Sequence, residues 1–101
     1  MAIINYESGN LKEMATTGYK IVDFYADWCG PCKMINSVFE ELNKKYPEVE
    51  IIKVNVDQYQ ELAAEYGVMS IPTIFIYKDN TEVEKFIGFR DVTDFENVIK
   101  S

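Results

Sequence analysis

The sequence contains no histidine. That absence removes Ser-His-Asp and Cys-His nucleophile systems and every imidazole metal site, leaving carboxylate, lysine, hydroxyl and thiol as the available chemistry. Positive charge is also scarce, with 10 Lys plus Arg against 17 Asp plus Glu and a formal charge of −7. Such a chain lacks the polybasic footprint that phosphate backbones and anionic lipid require, so neither nucleic acid nor membrane is expected as a partner. No run approaches the ~18 consecutive apolar residues of a membrane-spanning helix. Residues 1–20 carry polar side chains every two or three positions, without the basic segment and apolar run of a signal peptide, so a cytoplasmic protein is expected. Only two cysteines occur, Cys29 and Cys32, whereas a disulfide-stapled secreted domain spreads more of them through the chain.

What is present is the material of one folded domain. Of 101 residues, 48% are apolar, enough for a real core but too short a chain for a second one, so residues 1–101 are expected to form a single domain. Residues 3–6 read as a short strand, and Asn10 with Glu13 offers a helix start that Gly18 closes. Ile21-Val22-Asp23-Phe24-Tyr25-Ala26 is apolar on both faces apart from Asp23, the pattern of a central strand covered on both sides. Pro31 fits the first turn of a long helix in which Met34, Ile35, Val38, Phe39, Leu42 and Tyr46 recur at three- and four-residue spacing until Pro47. Residues 51–56 give another strand, and Asp57 with Gln60 is placed to cap a helix through Leu62, Ala63 and Tyr66 to Gly67. Residues 73–77 and 83–87 are strands joined by a hairpin over 78–82. Thr93 with Glu96 is placed to cap a last helix whose inner face is Phe95, Val98 and Ile99. The order βαβαβαββα implies an α/β fold of three layers, a central mixed sheet of five strands flanked by four helices.

The chemistry concentrates in Trp28-Cys29-Gly30-Pro31-Cys32-Lys33, where the central strand hands over to the long helix. Residues three apart in a helical turn lie on one face and close enough for a disulfide, so the pair can cycle between dithiol and disulfide with little backbone movement. Cys29 sits at the helix N-terminus, where unpaired N–H groups and the macrodipole favour an anion and lower a thiol pKa. That makes Cys29 the nucleophile, and Cys32, deeper in the helix, the resolving thiol. Two alternatives compete: half of a zinc site, which wants four ligands where this chain supplies two, and an inert buried pair. Asp23, a lone carboxylate in an apolar central strand, is desolvated, which raises its pKa toward neutrality and equips it to carry a proton. Its alternative is an Asp on an exposed edge.

The sequence resembles the thioredoxin family over essentially its whole length. The resemblance rests on Asp23-Phe24-Tyr25-Ala26-Asp27-Trp28-Cys29-Gly30-Pro31-Cys32-Lys33, Lys53-Val54-Asn55-Val56-Asp57, Gly67-Val68, Ile71-Pro72-Thr73 and Gly88. It implies the thioredoxin fold and a protein-disulfide reductase, a dithiol electron carrier that attacks substrate disulfides through Cys29 and resolves the mixed disulfide with Cys32. Gly30 and Pro31, between the cysteines, resemble the reducing branch of the superfamily. The resemblance further implies that Asp23 accepts the proton of Cys32, that Lys53 modulates Asp23, and that Pro72 follows a cis peptide packed beside the cysteines. Trp28, Ile71, Pro72, Thr73, Ile87 and Gly88 match the family's substrate surface, with the backbone at Ile71 pairing with an extended substrate segment. On pattern alone, Trp28 and Ile87 read equally as core, Lys53 as a surface lysine and Pro72 as a turn proline. The implied partners are disulfide-containing proteins and thioredoxin reductase, which passes electrons from NADPH to a monomer with no bound cofactor or metal of its own.

Five positions depart from the family pattern. Ser37 replaces a proline that kinks the long helix, Asn80 a hairpin glycine, and Tyr25 a frequent tryptophan, a change expected to remove a fluorophore and little else. Met69-Ser70 replaces basic and glycine residues beside the substrate surface and bears on partner choice. Two rival functions share the sequence: a non-redox binding module on the same fold, and a net oxidant or isomerase using the same thiols at a different potential.

Overall fold

The computed structural model describes residues 3–7 and 17–101. In chain order these form β1 (Ile3–Asn5), β2 (Tyr19–Tyr25), α1 (Gly30–Lys45), β3 (Glu50–Asn55), α2 (Gln60–Glu65), β4 (Thr73–Lys78), β5 (Thr81–Ile87) and α3 (Val92–Ile99). The five strands make one sheet in the order β1-β3-β2-β4-β5. β3 runs parallel to both β1 and β2, while β4 is antiparallel to β2 and β5 to β4, so the sheet is mixed as expected. The helix expected after Asn10 falls outside the described residues, leaving three helices among those described.

Strand β2 lies at the centre because both of its faces are apolar. Ile21 joins Ile35, Phe39 and Leu42 of α1 and Phe95 of α3 in one core. Val22 and Phe24 join Ile52, Val54, Phe75 and Ala63 of α2 in the other. The result is three layers, α1 with α3, then the sheet, then α2. Phe39 and Phe95 meet edge to face at 5.8 Å, locking α1 to α3. Leu42 is fully buried in this cluster, and truncating such a side chain to Ala costs about 2–5 kcal/mol.

Element ends differ from the sequence expectation for local reasons. The last helix is capped two residues earlier than Thr93, because Asp91 is its N-cap and the Asp94 carboxylate accepts from the Asp91 backbone N–H at 3.0 Å. Glu96 is instead committed to Tyr46 Oη, 2.7 Å away, tying α3 to the end of α1. Asp57 does not cap α2. Asn55 Oδ1 accepts from the N–H groups of Asp57 and Gln58 at 2.8 and 3.2 Å, shaping the turn ahead of the helix. Between β4 and β5, Asp79 and Asn80 both adopt positive φ, 50° and 70°, which closes the hairpin in two residues and lets β5 begin at Thr81 rather than 83. Asn80 thus does what the usual glycine would do. With Ser37 in place of proline, α1 runs unbroken from Gly30 to Lys45, the Ser37 hydroxyl donating to the Met34 carbonyl at 3.1 Å.

Candidate active site

Where β2 ends, the chain makes one turn and enters α1. The Cys29 N–H donates back to the Ala26 carbonyl at 3.2 Å, and Pro31 occupies the first helical turn, where its missing N–H costs nothing. Cys29 is thereby the N-cap of α1, and its sulfur accepts the Cys32 N–H at 3.2 Å. The two cysteines form a disulfide, their Cα atoms 5.2 Å apart. Cys29 is 5% exposed and Cys32 2%, the order expected from their depth in the helix. No acidic residue lies in the first turn of α1, so nothing there offsets the positive end of the helix dipole. Among the described residues no group of three or more His, Cys, Asp or Glu side chains is gathered at one place.

One flank of the cysteine pair is apolar. Ile71 packs against it, and the Ile71 carbonyl oxygen lies 3.8 Å from Cys29 Sγ. The Ile71–Pro72 peptide is cis, and Pro72 is buried rather than set in an exposed turn. Thr73 is buried at the start of β4. Gly88 closes the same corner: its N–H donates to the Pro72 carbonyl at 2.8 Å from a backbone with φ +92°, a conformation that side-chain-bearing residues rarely adopt. A groove of about 440 Å³ runs beside them, lined by Trp28, Val56, Ala63, Val68, Met69, Ser70 and Ile71. Trp28 is 70% exposed and Ile87 55%, so neither is a core residue. The Trp28 indole is held in place by donating to Asp57 Oδ2 at 2.9 Å.

The other flank is polar. Asp23 is wholly buried, with Lys53 of β3 and Ile74 of β4 as its neighbours across the sheet, which excludes the exposed-edge alternative. Neither carboxyl oxygen has a protein hydrogen-bond partner among the described residues. Burial pushes its pKa from 3.8 up to about 7, and the nearby Lys53 charge pulls part of the way back. Lys53 itself is half-buried. Its ammonium donates to Asn36 Oδ1 at 2.6 Å and sits 4.4 Å from the centre of the Tyr25 ring. A cleft of about 340 Å³, lined by Tyr25, Ala26, Asp27, Cys32, Lys33, Asn36 and Lys53, opens this flank to solvent.

The family model for thioredoxin matches residues 5–101. This chain belongs to the thioredoxin family. It is 43% identical over 100 residues to a thioredoxin of Staphylococcus haemolyticus, an alignment covering 98% of this chain and 96% of that one. Among solved structures, it is similar to a mutant thioredoxin from Halobacterium salinarum, with a TM-score of 0.87 and 32% identity over 98% of this chain and 88% of the other. It is also similar to reduced thioredoxin from Schistosoma mansoni, with a TM-score of 0.85 and 33% identity over 99% and 97% of the two chains. With its cysteine pair at the head of α1, this thioredoxin family member is a thiol-disulfide oxidoreductase, a dithiol protein-disulfide reductase.

Three contributors to the thioredoxin site escaped sequence reasoning. Asn36 holds Lys53, and Asp57 orients Trp28 rather than capping a helix. Tyr25, which looked like the loss of a fluorophore and little else, is the ring under the Lys53 ammonium. The signal for Tyr25 was in the sequence: it lies two residues from Asp23 on one strand, hence on the same face. For Asn36 the helical spacing from Cys32 was visible, but its partner on another strand was not.

Proposed function

We propose that the reduced protein donates two electrons to disulfides in other proteins by two thiol exchanges. Cys29, as thiolate, attacks one sulfur of the substrate disulfide; a Cys29–substrate disulfide forms and one substrate thiolate leaves. Cys32 then gives its proton to the Asp23 carboxylate and attacks Cys29 Sγ, which forms the Cys29–Cys32 disulfide and frees the second substrate thiolate. Lys53 modulates the proton affinity of Asp23. The single observation that carries the assignment of roles is that Cys29 caps α1 and lies against Ile71 beside the groove, while Cys32 is the more deeply buried of the two. Trp28, Ile71, Ile87 and Gly88 form the surface on which an extended substrate segment docks, its backbone pairing at Ile71 in the manner of an added strand, while the buried Pro72 and Thr73 support that surface from beneath.

The cycle closes by re-reduction through a thioredoxin reductase drawing on NADPH, with the chain acting as a cytoplasmic monomer of one domain over residues 1–101. No helix among the described residues is long and apolar enough to cross a membrane, which fits that setting. Single cysteine variants test the roles against a protein substrate with one disulfide. Cys32→Ser is expected to accumulate a stable mixed disulfide, seen as a mass adduct lost on adding dithiothreitol, and Cys29→Ser to form none. An adduct at Cys32 in the Cys29→Ser variant would reverse the assignment, and retained biological activity in the Cys29→Ser, Cys32→Ser double variant would favour a non-redox module.

A further inference from the structure

The residue the site uses without any assigned part is Asn36. It projects from α1 one helical turn beyond Cys32, half-buried, at the rim of the polar cleft. Lys53 stands directly across from Asp23 in the sheet register, the position from which an ammonium could bond the buried carboxyl. It does not: both Asp23 oxygens are without a protein partner, while Lys53 Nζ donates at 2.6 Å to Asn36 Oδ1 and lies over the Tyr25 ring. We propose that Asn36 is a positioning residue, whose side-chain oxygen together with the Tyr25 ring holds the Lys53 ammonium off the Asp23 carboxyl in the oxidised protein.

The physical case is a competition for one cation. A desolvated carboxylate with free lone pairs is a strong acceptor, but an ion pair there would strip the ammonium of its remaining water, whereas the Asn36 oxygen and the Tyr25 ring satisfy it at the rim of the cleft at less cost. Such a pair would keep Asp23 ionised. An ammonium already satisfied by an amide oxygen and an aromatic face leaves the carboxyl acting mainly under its own burial, as its raised pKa reflects. The other groups facing Asp23 do not replace Lys53. Ile21 and Tyr25 share its face of β2, Ile74 faces it from β4, and α1 brings Cys32, bound in the disulfide in the oxidised form. Asp27 and Lys33 stand at the outer rim of the cleft, exposed to water.

The inference rests on the proton-acceptor reading of Asp23 for its meaning but not for its test. In the oxidised full-length chain labelled with ¹³C at aspartate carboxyls, the Asp23 titration midpoint is read directly by NMR. Asn36→Ala is expected to lower that midpoint by about half a pH unit or more, as Lys53 moves to the carboxyl. In a Lys53→Met background, Asn36→Ala is expected to change nothing further, since the cation it positions is gone. Asn36→Asp restores an acceptor oxygen and is expected to return the midpoint to the wild-type value or above it. An unchanged or raised midpoint in Asn36→Ala, the same shift without Lys53, or a lowered midpoint in Asn36→Asp would each overturn the proposal. If the titrations behave as expected but mixed-disulfide resolution ignores Asp23, the clamp stands and the proton-acceptor reading fails.

Discussion

The two flanks of the cysteine pair are built to opposite specifications. On the Cys29 flank, Trp28, Met69 and Ile71 line an apolar groove, with Met69 97% exposed and Trp28 70%, and Ile87 is exposed on β5. On the Cys32 flank, an uncompensated carboxyl lies buried behind a cleft whose rim holds Lys53, Asn36, Asp27 and Lys33. Exposed apolar patches serve association, because burying them against a partner returns free energy. A desolvated acid behind a cleft open to solvent serves proton transfer, because its affinity is tuned to neutral pH and the proton has a way out. One sulfur therefore faces what docks and the other faces what titrates. If that division is real, substitutions on the two flanks should disturb different observables.

The largest effect should come from Asp23→Asn. The folded protein holds this carboxyl at about 7 against 3.8 for an ordinary one. Below about pH 4 the carboxyl is protonated in folded and unfolded chains alike, and its ionisation adds nothing. Between about 4 and 7 the unfolded chain gives up the proton first, so stability falls as pH rises, and above 7 the full penalty is present. At about 1.4 kcal/mol for each tenfold change in proton affinity, the penalty is about 4 kcal/mol. Oxidised Asp23→Asn should therefore unfold at higher urea than the parent at pH 8 by up to that amount, and differ little at pH 4. An equal gain at both pH values would assign the effect to something other than ionisation. The same variant should slow release of the mixed disulfide at pH 7 by about a hundredfold, the low end of general base contributions, while leaving the initial attack nearly unchanged. Equal slowing of both steps in stopped-flow traces would break the contrast between the flanks.

A smaller effect is expected on the apolar flank. Met69 touches little in the folded chain, so Met69→Glu should leave stability alone. It should raise KM for a protein disulfide about fivefold, the equivalent of losing roughly 1 kcal/mol of thioether burial and adding repulsion to a chain already at −7. The rate with a small disulfide that does not occupy the groove should be unchanged, and the pH profile should not move. A displaced pH profile would mean that the two flanks are coupled.

How much of this was legible depends on the range of the interactions involved. The central strand, the long helix and the head-of-helix cysteines announce themselves through periodicity and a six-residue string, all local signals. Even the isolation of Asp23 is local, because its strand neighbours are apolar. What the sequence concealed was which polar group goes to which. Thr93 and Glu96 had the spacing of a cap, yet Asp91 and Asp94 take the role and Glu96 turns to Tyr46, 50 residues away. Asp57 looked like a helix cap, but Asn55 shapes that turn and Asp57 is drawn to the Trp28 indole. Trp28 and Ile87 were undecided between core and surface, since an aromatic beside a motif has no period of its own. In each case several donors and acceptors compete within reach, and only the folded packing selects among them.

The finest test of the contrast uses Tyr25, which sits between the flanks: its ring packs against the cysteine cluster and lies beneath Lys53. Tyr25→Leu keeps apolar bulk against the cysteines but removes the aromatic face, an interaction worth about 0.5–1 kcal/mol at a partly exposed site. Because Asn36 still holds the ammonium, the Asp23 midpoint should fall by only a few tenths of a pH unit, less than in Asn36→Ala. KM for a protein disulfide should stay where it was. A fall as large as that of Asn36→Ala would make the ring, rather than the amide, the main support of Lys53. A change in KM with no change in midpoint would place Tyr25 with the docking flank and leave the amide as the sole restraint on the cation.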